Sequence, residues 1–325
     1  MRGFNKIILS RKGFDSSNGG DFSPFDIETG RYIVLPIPNG KIGSSYPGNR
    51  IIYEDIKIKP DYISGIDAKN LRELVCHESI RYVQKARDAI SRKYAHFDPW
   101  LGHCPWLRED SDHRLGAFGQ VGSPQGVLKK HHVGKGSLFL FFSRFKPVNG
   151  NKGSKFNDID VSREHLEKGV AFIYGWLKVG EVIEKYDDIH SKLSEIDARE
   201  VVQRHPHATR EYFDDSSRTY KNNTIYIAEK YLFDHSKRYS GCGYFPKLSG
   251  NLLLTATESA QKPFHHWLPS LWKMPPGLSR RTCLIYLNDW LDDNLMRHKT
   301  YGQEFVFDSS EEFYQWFNDK LLSEI

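Results

Sequence analysis

The chain has 325 residues, of which 39% are apolar and 14% aromatic, with a formal net charge of +5 and an isoelectric point near 8.8. This composition excludes a disordered chain and leaves room for one large folded domain or two modest ones. The weak basicity excludes a dedicated nucleic-acid coat while still allowing a polyanionic ligand. Cys76, Cys104, Cys242 and Cys283 are widely spaced with no Cys-x-x-Cys pair, which fits reduced thiols better than a disulfide framework. The longest apolar run, Leu138 to Phe142, is too short to span a membrane, and no cationic leader opens the chain. The expectation is a soluble, cytoplasmic protein with no membrane partner.

The apolar run Ile7-Ile8-Leu9 reads as a buried strand that empties into Ser10-Arg11-Lys12-Gly13-Phe14-Asp15-Ser16-Ser17-Asn18-Gly19-Gly20. Glycines let backbone N–H groups approach an anion, and Arg11 and Lys12 add fixed positive charge. Ser10, Arg11, Lys12, Gly13 and Ser16 are therefore candidate phosphate ligands. The competing reading is a polar turn in which Asp15 and the serines satisfy local backbone groups. The loop matches neither the Walker A pattern nor Gly-x-Gly-x-x-Gly.

Arg31 to Pro38 reads as a second strand closed by Asn39-Gly40. From Asp67 to Tyr94 the spacing of Leu71, Leu74, Val75, Tyr82, Val83, Ala86 and Ile90 predicts one long helix or two short ones. Residues 96–124 show little periodicity, and a long irregular stretch inside a compact protein is commonly functional. It opens with His96-Phe97-Asp98-Pro99, which brings an imidazole and a carboxylate within reach of one point as an acid/base pair or as ligands of a divalent cation. Packing of His96 beside an Asx-type turn at Asp98 is the equal alternative. The segment GAFGQVGSPQG, residues 116–126, reads as a flexible polar loop whose Gln120 can reach a base edge or a phosphate.

Ser137 to Arg144 and Val170 to Val179 give strong strand signals, and the insert 146–160 reads as a polar surface loop. Ala198 to Val202 is strand or helix, and Thr224 to Ala228 is a strand. His205-Pro206-His207 can place two imidazoles on one side of a turn and so complete a metal site with His96 and Asp98. The residues around His265-His266-Trp267 form an aromatic patch. The C-terminal segment is a helix over 309–324, with Ser309 and Glu312 as a capping box and Phe313, Trp316, Phe317 and Leu321 as a stripe docking on the core. The absence of repeats or a low-complexity linker makes one α+β unit over 1–325 the expected organisation.

Taken together, SRKGFDSSNGG, RYIVLPIP, HFDPWL, GSLFLFFSRF, FIYGWLKVGEV, HPHA and NTIYIA resemble the nucleotide-modification-associated domain of the third class, over roughly residues 6–272. Members of that family are linked to phage and bacterial DNA-modification systems. The resemblance implies Arg11, Asp15, His96, Asp98, His205 and His207 as site residues. Trp100 and Gly102-His103-Cys104 stand where a more acidic run would follow His-x-Asp-Pro. A weaker similarity, carried by Gly134-Lys135-Gly136-Ser137 and Gly175-Trp176-Leu177-Lys178-Val179, is to PUA-like barrels around residues 134–183. It implies Phe142, Arg144, Tyr174 and Trp176 as the pocket of a non-catalytic reader of modified bases.

The reading is thus an α+β protein with a mixed sheet and flanking helices that binds a nucleotide or DNA. His96, Asp98 and Asp15 are its catalytic candidates, Gln120 and the first loop hold phosphate, and His205 and His207 are metal candidates. A divalent metal is the cofactor this residue set allows, and proteins of a modification system are the expected partners. The reading requires His96, Asp98, Arg11 and Asp15 to converge on one cleft with His205 or His207.

Overall fold

The computed structural model describes residues 4–15, 17–45, 48, 50–108, 115–150, 154, 156, 163–214, 220–255, 266–267, 287–292, 295–298 and 304–325. Ile7, Ile8 and Leu9, all fully buried, form the middle of β1 (Lys6–Arg11). After the glycine loop come β2 (Ser23–Phe25) and β3 (Ile37–Lys41). The stretch from Tyr32 to Leu35, expected as a strand, is buried but joins no ladder beyond an isolated Phe25–Tyr32 bridge. Pro36 and Pro38 have no N–H to donate. Ladder pairing starts at Ile37, and Asn39 lies opposite Tyr94 instead of closing the strand.

The helical spacing between Asp67 and Tyr94 resolves into α1 (Leu71–Cys76) and α2 (Gln84–Arg92). Asn70 caps the first, its side chain accepting from the Glu73 N–H at 2.9 Å. Tyr94 belongs to β4 (Lys93–His96), which leads through the His96–Asp98 turn into β5 (Trp100–Leu101). The glycine-rich stretch expected as a flexible loop is strand β6 (Gly116–Gln120) followed by α3 (Gly122–Lys130). Its glycines serve close packing. A Cβ on Gly116 would stand 2.4 Å from Cys242 Sγ, and one on Gly119 would stand 2.3 Å from the His207 ring.

The two strongest strand signals become β7 (Leu138–Pro147) and β8 (Val170–Ile183), with α4 (Arg163–Glu167) ahead of the second. Most of the insert between them lies outside the described residues, although Lys146 and Pro147 end β7. Helices α5 (Asp188–Lys192) and α6 (Glu195–Arg204) follow, so Ala198 to Val202 is helical. The chain continues through β9 (Thr224–Ala228), β10 (Tyr231–Phe233), β11 (Ser236–Ser240) and β12 (Cys242–Tyr244). It ends with β13 (His266–Trp267), β14 (Leu287–Asp292), β15 (Leu295–His298), β16 (Glu304–Asp308) and α7 (Glu311–Trp316). The helix cap is Ser310, one residue later than expected, whose hydroxyl accepts from the Phe313 N–H at 3.0 Å. Beyond α7 the chain keeps turning, and Phe317 packs its ring 5.5 Å from Phe4 of the strand-bearing core. Of the aromatic patch near Trp267, residues 265, 268–270 and 272 fall outside the described residues.

The architecture is α+β. Its main sheet runs β16-β1-β7-β8-β9-β6-β5, with β12 beside β8 and β2 beside β7. Strands β1 and β2 lie parallel to β7, while β7, β8, β9 and β6 are antiparallel in turn. The register shifts within the β7–β8 and β8–β9 pairs mark bulges, which bend strands and increase twist. The sheet curls until Phe118 of β6 meets Phe139 and Phe141 of β7, with ring centroids 5.0 and 5.1 Å apart. No ladder joins β6 to β16 among the described residues, so the curl remains open there. Side chains cross the gap: Gln120 of β6 donates to Glu304 of β16 at 2.5 Å. Among the described residues no helix is long and apolar enough to cross a membrane.

Candidate functional site

A cleft of about 400 Å³ opens at this gap. Its walls combine Arg11, Lys12, Gly13, Asp15 and Asn18 from the loop after β1 with His96 and Asp98 after β4. Ile37 and Asn39 of β3, Gly119 to Pro124 of the β6–α3 junction, His207, Tyr212 and Tyr220 complete the lining. That size suits a ligand on the scale of a nucleotide.

Asp98 is the hub of a buried polar cluster. Its side chain is 3% exposed. Oδ1 accepts from the Gly119 N–H at 3.0 Å and lies 2.9 Å from His205 Nε2. Oδ2 faces His207 Nε2 at 3.9 Å and His96 Nε2 at 4.0 Å. Those two imidazole nitrogens are 3.0 Å apart. Asn223, just ahead of β9, donates its amide to the His207 carbonyl at 3.2 Å, which leaves its Oδ1 to accept from His207 Nδ1 at 2.8 Å. That assignment puts the His207 proton on Nδ1 and a lone pair on Nε2, pointing at His96 and Asp98. His205 Nδ1 accepts from the His207 backbone N–H at 3.3 Å, so its Nε2 carries the proton donated to Asp98.

Burial pushes the His96 imidazole down to about 4 and the His207 imidazole down to about 3, with neighbouring histidines acting the same way and Asp98 opposing. Both rings are neutral at neutral pH. Burial alone would raise the Asp98 carboxyl, but the His205 hydrogen bond and the surrounding imidazoles outweigh it and hold Asp98 at about 2. The cluster thus presents to the cleft a fixed carboxylate and a neutral imidazole pair in which His96 Nε2 donates to His207 Nε2.

The loop after β1 contributes charge. Arg11 lies 3.5 Å from Asp15 Oδ2, while Asp15 Oδ1 accepts from the backbone N–H groups of Ser17 and Asn18 at 2.7 and 2.6 Å. Asp15 therefore organises the turn through local amides while lining the cleft. Gly13 sits at φ +92°, and a Cβ there would stand 2.7 Å from Ser143 Oγ. Lys12 reaches Glu304 at 3.2 Å and stands over the Phe118 ring, 4.6 Å from its centroid. Ser10 does not line the cleft and donates to Glu304 at 3.1 Å, and Ser16 lies outside the described residues.

His205 does not line the cleft; it stands behind Asp98. Trp176, Tyr174, Phe142 and Arg144 are buried in the sheet core. Trp176 packs 4.9 Å from Phe245 and donates to the Ser240 carbonyl, while Arg144 donates to the carbonyls of Lys168 and Gly169. Tyr174 comes nearest the site, sharing a small cavity with Asp98. Sequence reading missed Glu304, Asn223, Gly119, Tyr212 and Tyr220. An asparagine directly before a strand, as at Asn223-Thr224, reads as a turn residue. Glu304 gave a usable signal: one carboxylate opening the otherwise apolar run Glu304-Phe305-Val306-Phe307.

The family model of nucleotide modification associated domain 3 matches residues 6–308. No curated protein and no solved structure matches the chain.

Proposed function

The chain belongs to the nucleotide modification associated domain 3 family, and from that premise we propose that its cleft binds a phosphate-bearing nucleotide, free or within DNA, and performs acid/base chemistry on it. One observation carries this reading: a single cleft is lined both by Arg11 and Lys12 and by His96, Asp98 and His207. Cations beside a glycine loop suit a phosphate, and the start of α3 at Gly122 and Ser123 adds the positive end of a helix. Tyr220, with its ring 4.2 Å from that of Tyr212, offers an aromatic face to a base.

In this reading, for the metal-free site, His207 is the proton acceptor, because Asn223 holds its proton on Nδ1 and turns the Nε2 lone pair toward His96 and Asp98. Asp98 stabilises the imidazolium that forms, and the His96 Nε2–H, 3.0 Å away, fixes the direction of the His207 lone pair. Gln120 stands beside Lys12 on shared Glu304 and orients the loop cation. Partner proteins of a DNA-modification system and a cytoplasmic setting belong to the same proposal.

The test is calorimetric titration of the full chain with deoxynucleoside monophosphates and short DNA duplexes. Arg11→Ala should weaken binding by about tenfold or more, the scale of one charge-assisted phosphate contact. Asp98→Asn should keep affinity within about tenfold while abolishing turnover, since the carboxylate acts in the transition state. Binding that ignores Arg11 would refute the reading.

A further inference from the structure

We propose that His96, Asp98 and His207 hold one divalent transition-metal ion. The three side chains come from two separate segments, the end of β4 with the turn after it and the loop after α6. Each offers one ligand atom, and these atoms lie within 4.8 Å of one another. The distances are closer to a metal site than that limit suggests. The triangle formed by His96 Nε2, His207 Nε2 and Asp98 Oδ2 has sides of 3.0, 3.9 and 4.0 Å. Its circumradius is about 2.1 Å, so one point stands at a metal–ligand bond length from all three atoms.

The surroundings match what a bound ion demands. A ligating imidazole donates its other N–H to a fixed acceptor, as His207 Nδ1 does to Asn223. A ligating carboxylate has its second oxygen held, as Asp98 Oδ1 is held by His205 and the Gly119 N–H. His205 is accordingly a positioning residue. Two imidazoles and one carboxylate suit zinc or ferrous iron, whereas magnesium and calcium take oxygen donors. Three protein ligands leave coordination positions open, and His96, Asp98 and His207 all line the cleft. A water or a substrate oxygen can take such a position. With the ion bound, His207 Nε2 is a ligand and no longer the proton acceptor, so any role of the ion in nucleotide chemistry rests on the nucleotide binding proposed above, and the binding of the ion does not.

The test is equilibrium dialysis of the full, chelator-stripped chain against Zn²⁺, anaerobic Fe²⁺, Mg²⁺ and Ca²⁺, each alone and without nucleotide. Zn²⁺ or Fe²⁺ should bind one per chain. Affinity should fall by more than about 100-fold in His207→Ala, by about 10- to 100-fold in His205→Gln, and stay unchanged in Arg11→Ala. Co²⁺ added to the unmodified chain should shift the His96 and His207 imidazole resonances, a readout that needs no variant to fold. Absence of stoichiometric Zn²⁺ and Fe²⁺ binding by the folded chain overturns the proposal, as does binding that leaves those resonances unmoved. Stoichiometric metal without any nucleotide binding would sink the functional reading and leave the ion site standing.

Discussion

His205 Nε2 sits 2.9 Å from Asp98 Oδ1, and this contact decides which carboxylate oxygen faces the cleft. With Oδ1 held from behind by His205 and by the Gly119 N–H, Oδ2 is left opposite His96 and His207. Two histidines separated by one proline therefore take different parts. His207 lines the cleft, and His205 fixes the group that His207 works with.

Gly119 is the tightest of these supports. A Cβ there would stand 2.3 Å from His207 Cγ and 2.4 Å from Cδ2, with the ring backed by Asn223. Gly119→Ala should displace the ring and cost activity by about 100-fold or more, because misplacement of about 1 Å has that effect. Steady-state kinetics beside circular dichroism checks this: a folded variant with unchanged activity would show that the ring position is immaterial.

Stability should fall on acidification. The native His96 and His207 imidazoles resist protonation down to about 4 and about 3, while the unfolded chain takes up protons near 6.5. The unfolded state then binds more protons, so stability drops as pH falls from 6.5 toward 4, by up to about 2.7 kcal/mol per pH unit for two sites. Asp98, held at about 2, contributes stability above the usual carboxylate range that is lost as pH falls through 2. Urea unfolding of chelated protein between pH 7.5 and 4.5 measures the slope, and His207→Gln should roughly halve it. A flat profile contradicts the account.

Glu304 gathers Ser10, Lys12 and Gln120 onto one buried oxygen. Burial raises its carboxyl, and Lys12 with the hydrogen bonds opposes that shift. Glu304→Ala should destabilise the fold by about 3 kcal/mol, since Lys12 is left charged, nearly buried and without this partner. A denaturant midpoint within about 0.5 kcal/mol of the parent chain would show that the cluster holds nothing together.

Trp176→Ala separates core from ligand pocket. The ring is 3% exposed, so the change should cost about 3–5 kcal/mol of stability and leave nucleotide affinity intact in the folded fraction. Loss of affinity at full stability would reinstate the aromatic pocket of a base reader.

The strand signals at Ile7-Ile8-Leu9, Leu138 to Phe142 and Val170 to Val179 were legible because long apolar runs leave few alternatives for a buried sheet. The site residues Arg11, His96, Asp98 and His207 were legible as chemistry but not as a constellation. A curl that brings β6 against β7 and β16 is set by bulges and aromatic contacts, which no local pattern reports. Gly116 to Gln120 read as a loop because glycine lowers strand propensity, whereas here the small residues clear space for Cys242 and His207. Glu304, nearly 300 residues from Ser10, could be joined to that loop only through the β1–β16 ladder.

The most direct test of the central claim is a crystal structure of the chain soaked with a deoxynucleoside monophosphate. The account predicts the phosphate against Arg11 and Lys12, and the nucleoside reaching toward Asp98, His207 and Tyr220. A nucleotide bound elsewhere, or a cleft that stays empty at saturating ligand, would contradict it.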